Sequence, residues 1–128
     1  MYTLTVRDYL RCAHSFQGAI FGMGQLLHFM TYQVELVFTT EKLDENNIVV
    51  DFGVTQDALQ EMLRALNGKN LDELPQFKGI QTTTEFLCHH FHTHVATAVA
   101  NKFEGTLRVV LRESPLAEAA YESRIGKK

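Results

Sequence analysis

Six histidines and two cysteines carry most of the chemistry open to this chain of 128 residues. Four of the histidines crowd into one stretch, Cys88-His89-His90-Phe91-His92-Thr93-His94. His90 and His94 are one turn apart on a helix, and imidazoles at that spacing can chelate a metal. No carboxylate or second motif joins them, and His89, His90, His92 and His94 fall mostly on the outward face of the helix they predict. We read them as an adventitious surface cluster. Cys12 and Cys88 imply no disulfide framework. Cys88 stands on the inward stripe of the same helix, where a thiol packs as a small hydrophobe. Ahead of the cluster, Thr82-Thr83-Thr84-Glu85 has the pattern of a capping box.

The elements that must position these groups follow from periodicity. Residues 2–8 alternate, with Tyr2, Leu4 and Val6 on one side and Thr3, Thr5 and Arg7 on the other, which predicts a strand. Gly18, Gly22 and Gly24 punctuate a loop. Residues 28–40, rich in Tyr, Val, Phe and Thr, predict a second strand. From Ala58 the period becomes helical, with Leu59, Met62, Leu63 and Leu66 on one face. Thr55 is the expected N-cap of this helix and Gly68 its stop. The second helix runs from the capping box to about Lys102, with Leu87, Cys88, Phe91, Val95 and Val99 inward. Thr106–Arg112 predicts a third strand and 119–122 a short fourth. The order ββααββ describes an α+β domain with hairpin-like strands and two helices on one face. Its exposed sheet edges need covering, and self-association is one way to do it.

Composition narrows the functions. The net charge of −3 and 21% charged residues argue against a nucleic-acid partner, which needs a basic face. The apolar runs fall far short of the roughly 20 residues of a membrane span. Residues 1–128 read as one domain, and the N-terminus has charge and alternation rather than a signal-peptide core. A cytoplasmic, reduced protein is the expectation.

Six blocks, each weak alone, are specific as an ordered set. They are Leu10-Arg11-Cys12-Ala13-His14, then Gly24 followed after three residues by His28-Phe29-Met30-Thr31-Tyr32, then Val49-Val50-Asp51-Phe52. Leu66-Asn67-Gly68-Lys69-Asn70-Leu71-Asp72, Thr82-Thr83-Thr84-Glu85 and the pair Glu113 and Tyr121 complete the set. With these blocks the chain resembles the 6-pyruvoyltetrahydropterin synthase / 6-carboxytetrahydropterin synthase family along nearly its whole length.

The resemblance implies a tunnelling fold, with an antiparallel four-stranded sheet under two helices and subunits joined as trimers or hexamers. It also implies a zinc site. The family uses three histidines, and His14 and His28 stand at two of those positions. Met30 holds the third. Positions 28 and 30 share one face of a strand, but a thioether suits copper(I) better than zinc. The family's nucleophilic Cys is replaced by Gly24, and its Asp-His pair by Asn67 and Gly68. None of these titrates near neutral pH, as general acid–base catalysis requires. Lys69, Asp72 and Glu73 lie close by, and nothing in the sequence selects among them. Glu113 matches the carboxylate that accepts N–H groups from the pterin ring, and Thr83 and Thr84 stand near the family's threonine motif. Thr82 and Glu85 read as helix capping.

The expectation is therefore a protein that binds a pterin-type ligand of the dihydroneopterin triphosphate class, with its chemistry altered or absent. If active, it is a carbon–oxygen lyase of a tetrahydrobiopterin or queuosine pathway. The alternative is a non-catalytic pterin- or purine-binding partner subunit in an oligomer of the same fold.

Overall fold

The computed structural model of the chain describes residues 1–126. Its two longest strands are the alternating stretches: β1 (Tyr2–His14) and β2 (His28–Thr40). They pair antiparallel without a break, from Tyr2 opposite Thr40 to His14 opposite His28. After them come α1 (Phe52–Arg64), β3 (Lys69–Asn70), α2 (Thr84–Ala98), β4 (Gly105–Ser114) and β5 (Ala117–Ile125). Short 3-10 turns occupy Ala19–Gln25, Leu71–Glu73 and Pro75–Phe77.

The strands form one sheet in the order β3-β1-β2-β4-β5. The α+β class and the two-helix layer are as expected, but the sheet has five strands rather than four and is mixed rather than purely antiparallel. The fifth is β3, two residues that run parallel to β1 beside Cys12 and Ala13. A two-residue strand has no alternation to detect. The last strand is also longer than 119–122, because β5 is held by its ladder to β4 from Gly105–Ile125 to Ser114–Ala117 and not by an apolar stripe.

The helices cover one face of the sheet. α1 packs against β1 and α2 against β4 and β5. Between the layers, Leu10, Tyr32, Val34, Leu36, Phe38, Leu107, Val109 and Leu111 meet Leu59, Leu63, Leu87, Phe91 and Val95. Burying each such side chain contributes roughly 1.5–3 kcal/mol, so this layer is what keeps the sheet's inner face in place. The other face is polar. Glu35 receives Arg7 Nε at 2.6 Å and Arg112 Nη1 at 3.4 Å, and Arg112 reaches on to Gln33 and, at 2.7 Å, to Glu118. Burial pushes the Glu35 carboxyl up, and the two guanidinium groups outweigh it and hold it below the usual range.

Two helix starts differ from expectation. α1 is capped by Asp51, whose carboxylate accepts from the N–H groups of Gly53 and Val54. Thr55 instead lies buried within the first turn, its hydroxyl donating to the Phe52 carbonyl at 2.8 Å. α2 is capped by Thr83, which accepts from Phe86 N–H at 3.1 Å. The cap thus falls one residue after Thr82, and the Thr82–Glu85 box does not form. α2 ends at Ala98, short of Lys102.

Candidate functional site

Alternation along three neighbouring strands builds the site. The inward stripe of β1 reads Val6, Leu10, Cys12 and ends on His14, which is 1% exposed. The stripe of β2 begins with His28 and Met30 and continues through Tyr32 and Val34. The stripe of β4, Leu107, Val109 and Leu111, ends on Glu113. The antiparallel register brings these polar ends to the same end of the sheet, where the apolar core stops and the first turn of α2 lies over them.

A cavity of about 150 Å³ opens there, walled by His14, Phe16, Phe21, His28, Met30, Tyr32, Thr83, Thr84, Glu85 and Glu113. Residues matched to two separate family functions, the metal set and the ring anchor, therefore share one chamber. The imidazoles of His14 and His28 are edge to face with centroids 4.6 Å apart. His28 Nδ1–H donates to the Leu26 carbonyl at 2.9 Å, which leaves its Nε2 lone pair free. His14 Nδ1 is 3.2 Å from Thr82 Oγ1. Burial, and next the neighbouring His28, hold His14 below the ordinary histidine range, so it is neutral at pH 7.

Across the cavity a hydrogen-bonded chain leads out of the core. Thr84 Oγ1 donates to Glu113 Oε2 at 2.9 Å and is 3.0 Å from the Tyr32 hydroxyl. Tyr32 is fully buried. Thr84 gives its one proton to the carboxylate, so the phenol donates to Thr84. Desolvation pushes the Tyr32 hydroxyl far above its usual value, and it stays protonated. Among the described residues the second oxygen of Glu113 accepts no hydrogen bond. Thr83, expected beside the ring, has its hydroxyl engaged by the helix cap. Thr82, expected as a cap, instead holds His14.

Asn67 and Gly68, where the resemblance expects an acid–base pair, do not line this chamber. Asn67 Oδ1 accepts from Arg11 N–H at 2.9 Å, and Gly68 N–H donates to the Arg11 carbonyl at 2.6 Å. The pair thus clamps the free edge of β1, and Gly68 closes the turn at φ 78°. Asp72 is held by Ser15 Oγ at 2.6 Å, and neither Lys69 nor Glu73 is a wall of the cavity. Burial pushes both cysteine thiols up to about 11, so neither is a nucleophile at neutral pH.

The donor set does not fit zinc. Two imidazoles and a thioether leave the third nitrogen or oxygen ligand unsupplied. Among the described residues no group of three or more His, Cys, Asp and Glu is arranged to hold a metal. That applies equally to the histidines of α2, which are also less uniformly outward than expected. His92 is buried, with Nε2 donating to the Leu107 carbonyl at 3.0 Å. His90 is half-buried against Phe77 and Phe86. His89 meets the edge of Tyr121.

Besides Glu85, read from the sequence as helix capping, three cavity residues were not singled out as site residues. Tyr32 stood in a quoted block but gave no sign of reaching Thr84. Phe16 and Phe21 lie in a loop without periodicity, where an aromatic residue is indistinguishable from packing. The loop is tied down at Phe16 N–H to the Gly24 carbonyl (2.9 Å) and by Gln17 and Gln81, which exchange hydrogen bonds of 3.0 and 2.6 Å.

The sequence profile of the 6-pyruvoyl tetrahydropterin synthase family matches residues 3–124. No curated protein matches the chain. Among solved structures, the 6-pyruvoyl tetrahydropterin synthase of Caenorhabditis elegans superposes with a TM-score of 0.83 at 18% identity, over 95% of each chain. The enzyme of Plasmodium vivax gives 0.78 at 15% identity, over 97% of this chain and 98% of that one. The Plasmodium falciparum enzyme gives 0.76 at 14%, with the same coverage. At these identities the likeness is one of fold. Among the described residues no helix is long and apolar enough to cross a membrane.

Proposed function

The chain belongs to the 6-pyruvoyl tetrahydropterin synthase family, and from that membership we propose that its cavity binds the ring of a pterin-type ligand through Glu113. One observation carries the reading. A carboxylate with a free oxygen stands at one side of a small, largely aromatic chamber, its other oxygen steadied by Thr84. Flat walls suit a planar heterocycle, and an ionised carboxylate suits an edge with adjacent N–H donors.

Turnover is a separate matter. His14, neutral in its buried position, and His28, hydrogen-bonded through Nδ1, can each orient a ligand through Nε2. The positions where the resemblance places a nucleophile and its acid–base pair hold Gly24, Asn67 and Gly68, and the last two serve the β1 edge. That observation favours the second reading, a ring-binding subunit without lyase activity.

We also propose self-association as a trimer or hexamer. Ile20, Met23, Leu26, Leu27 and Phe29 are all exposed, and among the described residues the outer edge of β5 has no partner strand. Light scattering showing a monomer at micromolar concentration would refute it.

The test of the ring anchor is calorimetric titration of wild type and Glu113→Gln with pterins and guanine-like compounds. Charge-assisted hydrogen bonds contribute on the order of 1.5–3 kcal/mol each. The amide retains one acceptor and turns a donor toward the second ring N–H. Affinity is expected to fall by at least about tenfold, with fold and assembly unchanged. Equal affinity in the two proteins would remove Glu113 from the site.

A further inference from the structure

On the β1 side of the cavity, two strands away from Glu113, the ring of Phe16 forms part of the wall. It lies 4.6 Å from His14, 5.4 Å from His28 and 4.9 Å from Phe21, centroid to centroid. Two features hold it there. Its N–H is bonded to the Gly24 carbonyl, which folds the loop back on itself. Position 24 also has no side chain to compete for the space. A Cβ there would stand 3.2 Å from Phe16 Cδ2 and 3.4 Å from Phe21 Cβ, the first tighter than an ordinary contact. Gly24 is not among the glycines at positive φ. Space, rather than backbone conformation, is what a side chain there would contest, and the Phe16 ring would have to give by a few tenths of an ångström to admit one.

The consequence is a small chamber. Its volume of about 150 Å³ is half the lower end of the roughly 300–1,000 Å³ typical of ligand pockets. A ring whose donor edge is anchored on Glu113 points its far edge across β2 toward Phe16. Any substituent on that far edge must share the space with the phenyl ring.

We infer that Phe16 determines specificity, admitting planar bicyclic rings that lack a bulky substituent opposite the donor edge. This rests on the ring-binding reading above and adds the substrate class to it: an unsubstituted or minimally substituted ring in place of one with an extended side chain.

The experiment titrates wild type, Phe16→Ala and Phe16→Leu with two probes, pterin and neopterin, which share the ring and differ in the trihydroxypropyl chain. Misfit of even one group in a tight pocket changes affinity by about tenfold or more. Wild type is expected to prefer pterin by at least that factor. Phe16→Ala is expected to bring the two probes within about threefold by gaining neopterin. Phe16→Leu, which keeps apolar bulk at the position, retains most of the preference and covers the case in which the alanine variant does not fold. Equal binding of both probes to wild type overturns the inference and leaves the ring site standing. So does an unchanged preference in folded Phe16→Ala. Binding of neither probe to any of the three proteins overturns the ring site itself, and this inference with it.

Discussion

Replacing Thr84 with valine preserves the shape of the side chain and deletes one hydroxyl placed between two others. In the wild type that hydroxyl donates to Glu113 Oε2 at 2.9 Å and accepts from the Tyr32 phenol at 3.0 Å. The two losses are unequal. Glu113 is exposed and regains its bond from water. Tyr32 is fully buried and has no other hydrogen-bond partner among the described residues, so its O–H is stranded. Leaving a buried donor unpaired costs about 1–3 kcal/mol. At this chain length 1 kcal/mol corresponds to roughly 4 °C, so Tm should fall by about 4–12 °C. Thermal and urea denaturation followed by circular dichroism measure it. Thr84→Ser, which keeps the hydroxyl, should lie much nearer wild type. In the double variant Tyr32→Phe/Thr84→Val the stranded donor is gone, and stability should recover relative to Thr84→Val alone. If Thr84→Val is as stable as wild type, or if removing the phenol gives no relief, the buried chain from Tyr32 to Glu113 is not the support claimed for it.

Three further outcomes are expected. His92 is buried, and desolvation holds it below its ordinary value despite its bonds to Leu107 and Ser123. The unfolded chain therefore binds the proton first, and stability should decline as pH falls below about 6.5, by at most about 1.4 kcal/mol per pH unit from this residue. His92→Gln, which can still donate to Leu107, should flatten that slope in denaturation curves at pH 5–7, and an unchanged slope would exonerate His92. Gly105→Ala should destabilise by about 1–3 kcal/mol or more, because a Cβ there overlaps the Thr39 carbonyl oxygen and stands 2.7 Å from Phe103 Cζ. Wild-type denaturation behaviour would contradict the packing of the β4 entry. Metal analysis after exhaustive dialysis should find zinc well below one equivalent per chain, since two imidazoles and a thioether hold it poorly, and a stoichiometric ion would show that a further ligand completes the set.

Elements with strong periodicity were legible in the sequence. The apolar stripes of β1, β2, β4 and both helices appear in the structure as the buried layer, down to Leu87, Cys88, Phe91 and Val95 on α2 and Val99 just past its end. What escaped was whatever depends on partners rather than pattern. β3 exists because Lys69 and Asn70 meet β1, and β5 because β4 offers it a ladder. The cap of α2 moved from Thr82 to Thr83 because Thr82 faces His14. For the site, His14, His28, Met30, Thr83, Thr84 and Glu113 were all named from the ordered blocks, and His14, His28 and Met30 were expected to converge, but nothing in the spacing said that the threonines and Glu113 share their chamber. Sharing depends on three strands ending together. Phe16 and Phe21 were invisible because a loop has no period against which an aromatic residue stands out.

The unbroken ladder of β1 and β2 makes the site a matter of counting. Thirteen residues on each strand pair in sequence, from Tyr2–Thr40 to His14–His28. Exchanging one side chain anywhere along the ladder disturbs its own neighbourhood. Adding or dropping one residue, even near Val6, far from the cavity, reverses the facing of everything on one side of the change, because the side-chain period is two. Either His14 would turn to the polar face while Cys12 and Leu10 followed it, or the strand would have to bulge to absorb the difference. A substitution along β1 or β2 is therefore a local event and a change of length is not, so the cavity can lose its chemistry residue by residue while keeping its place.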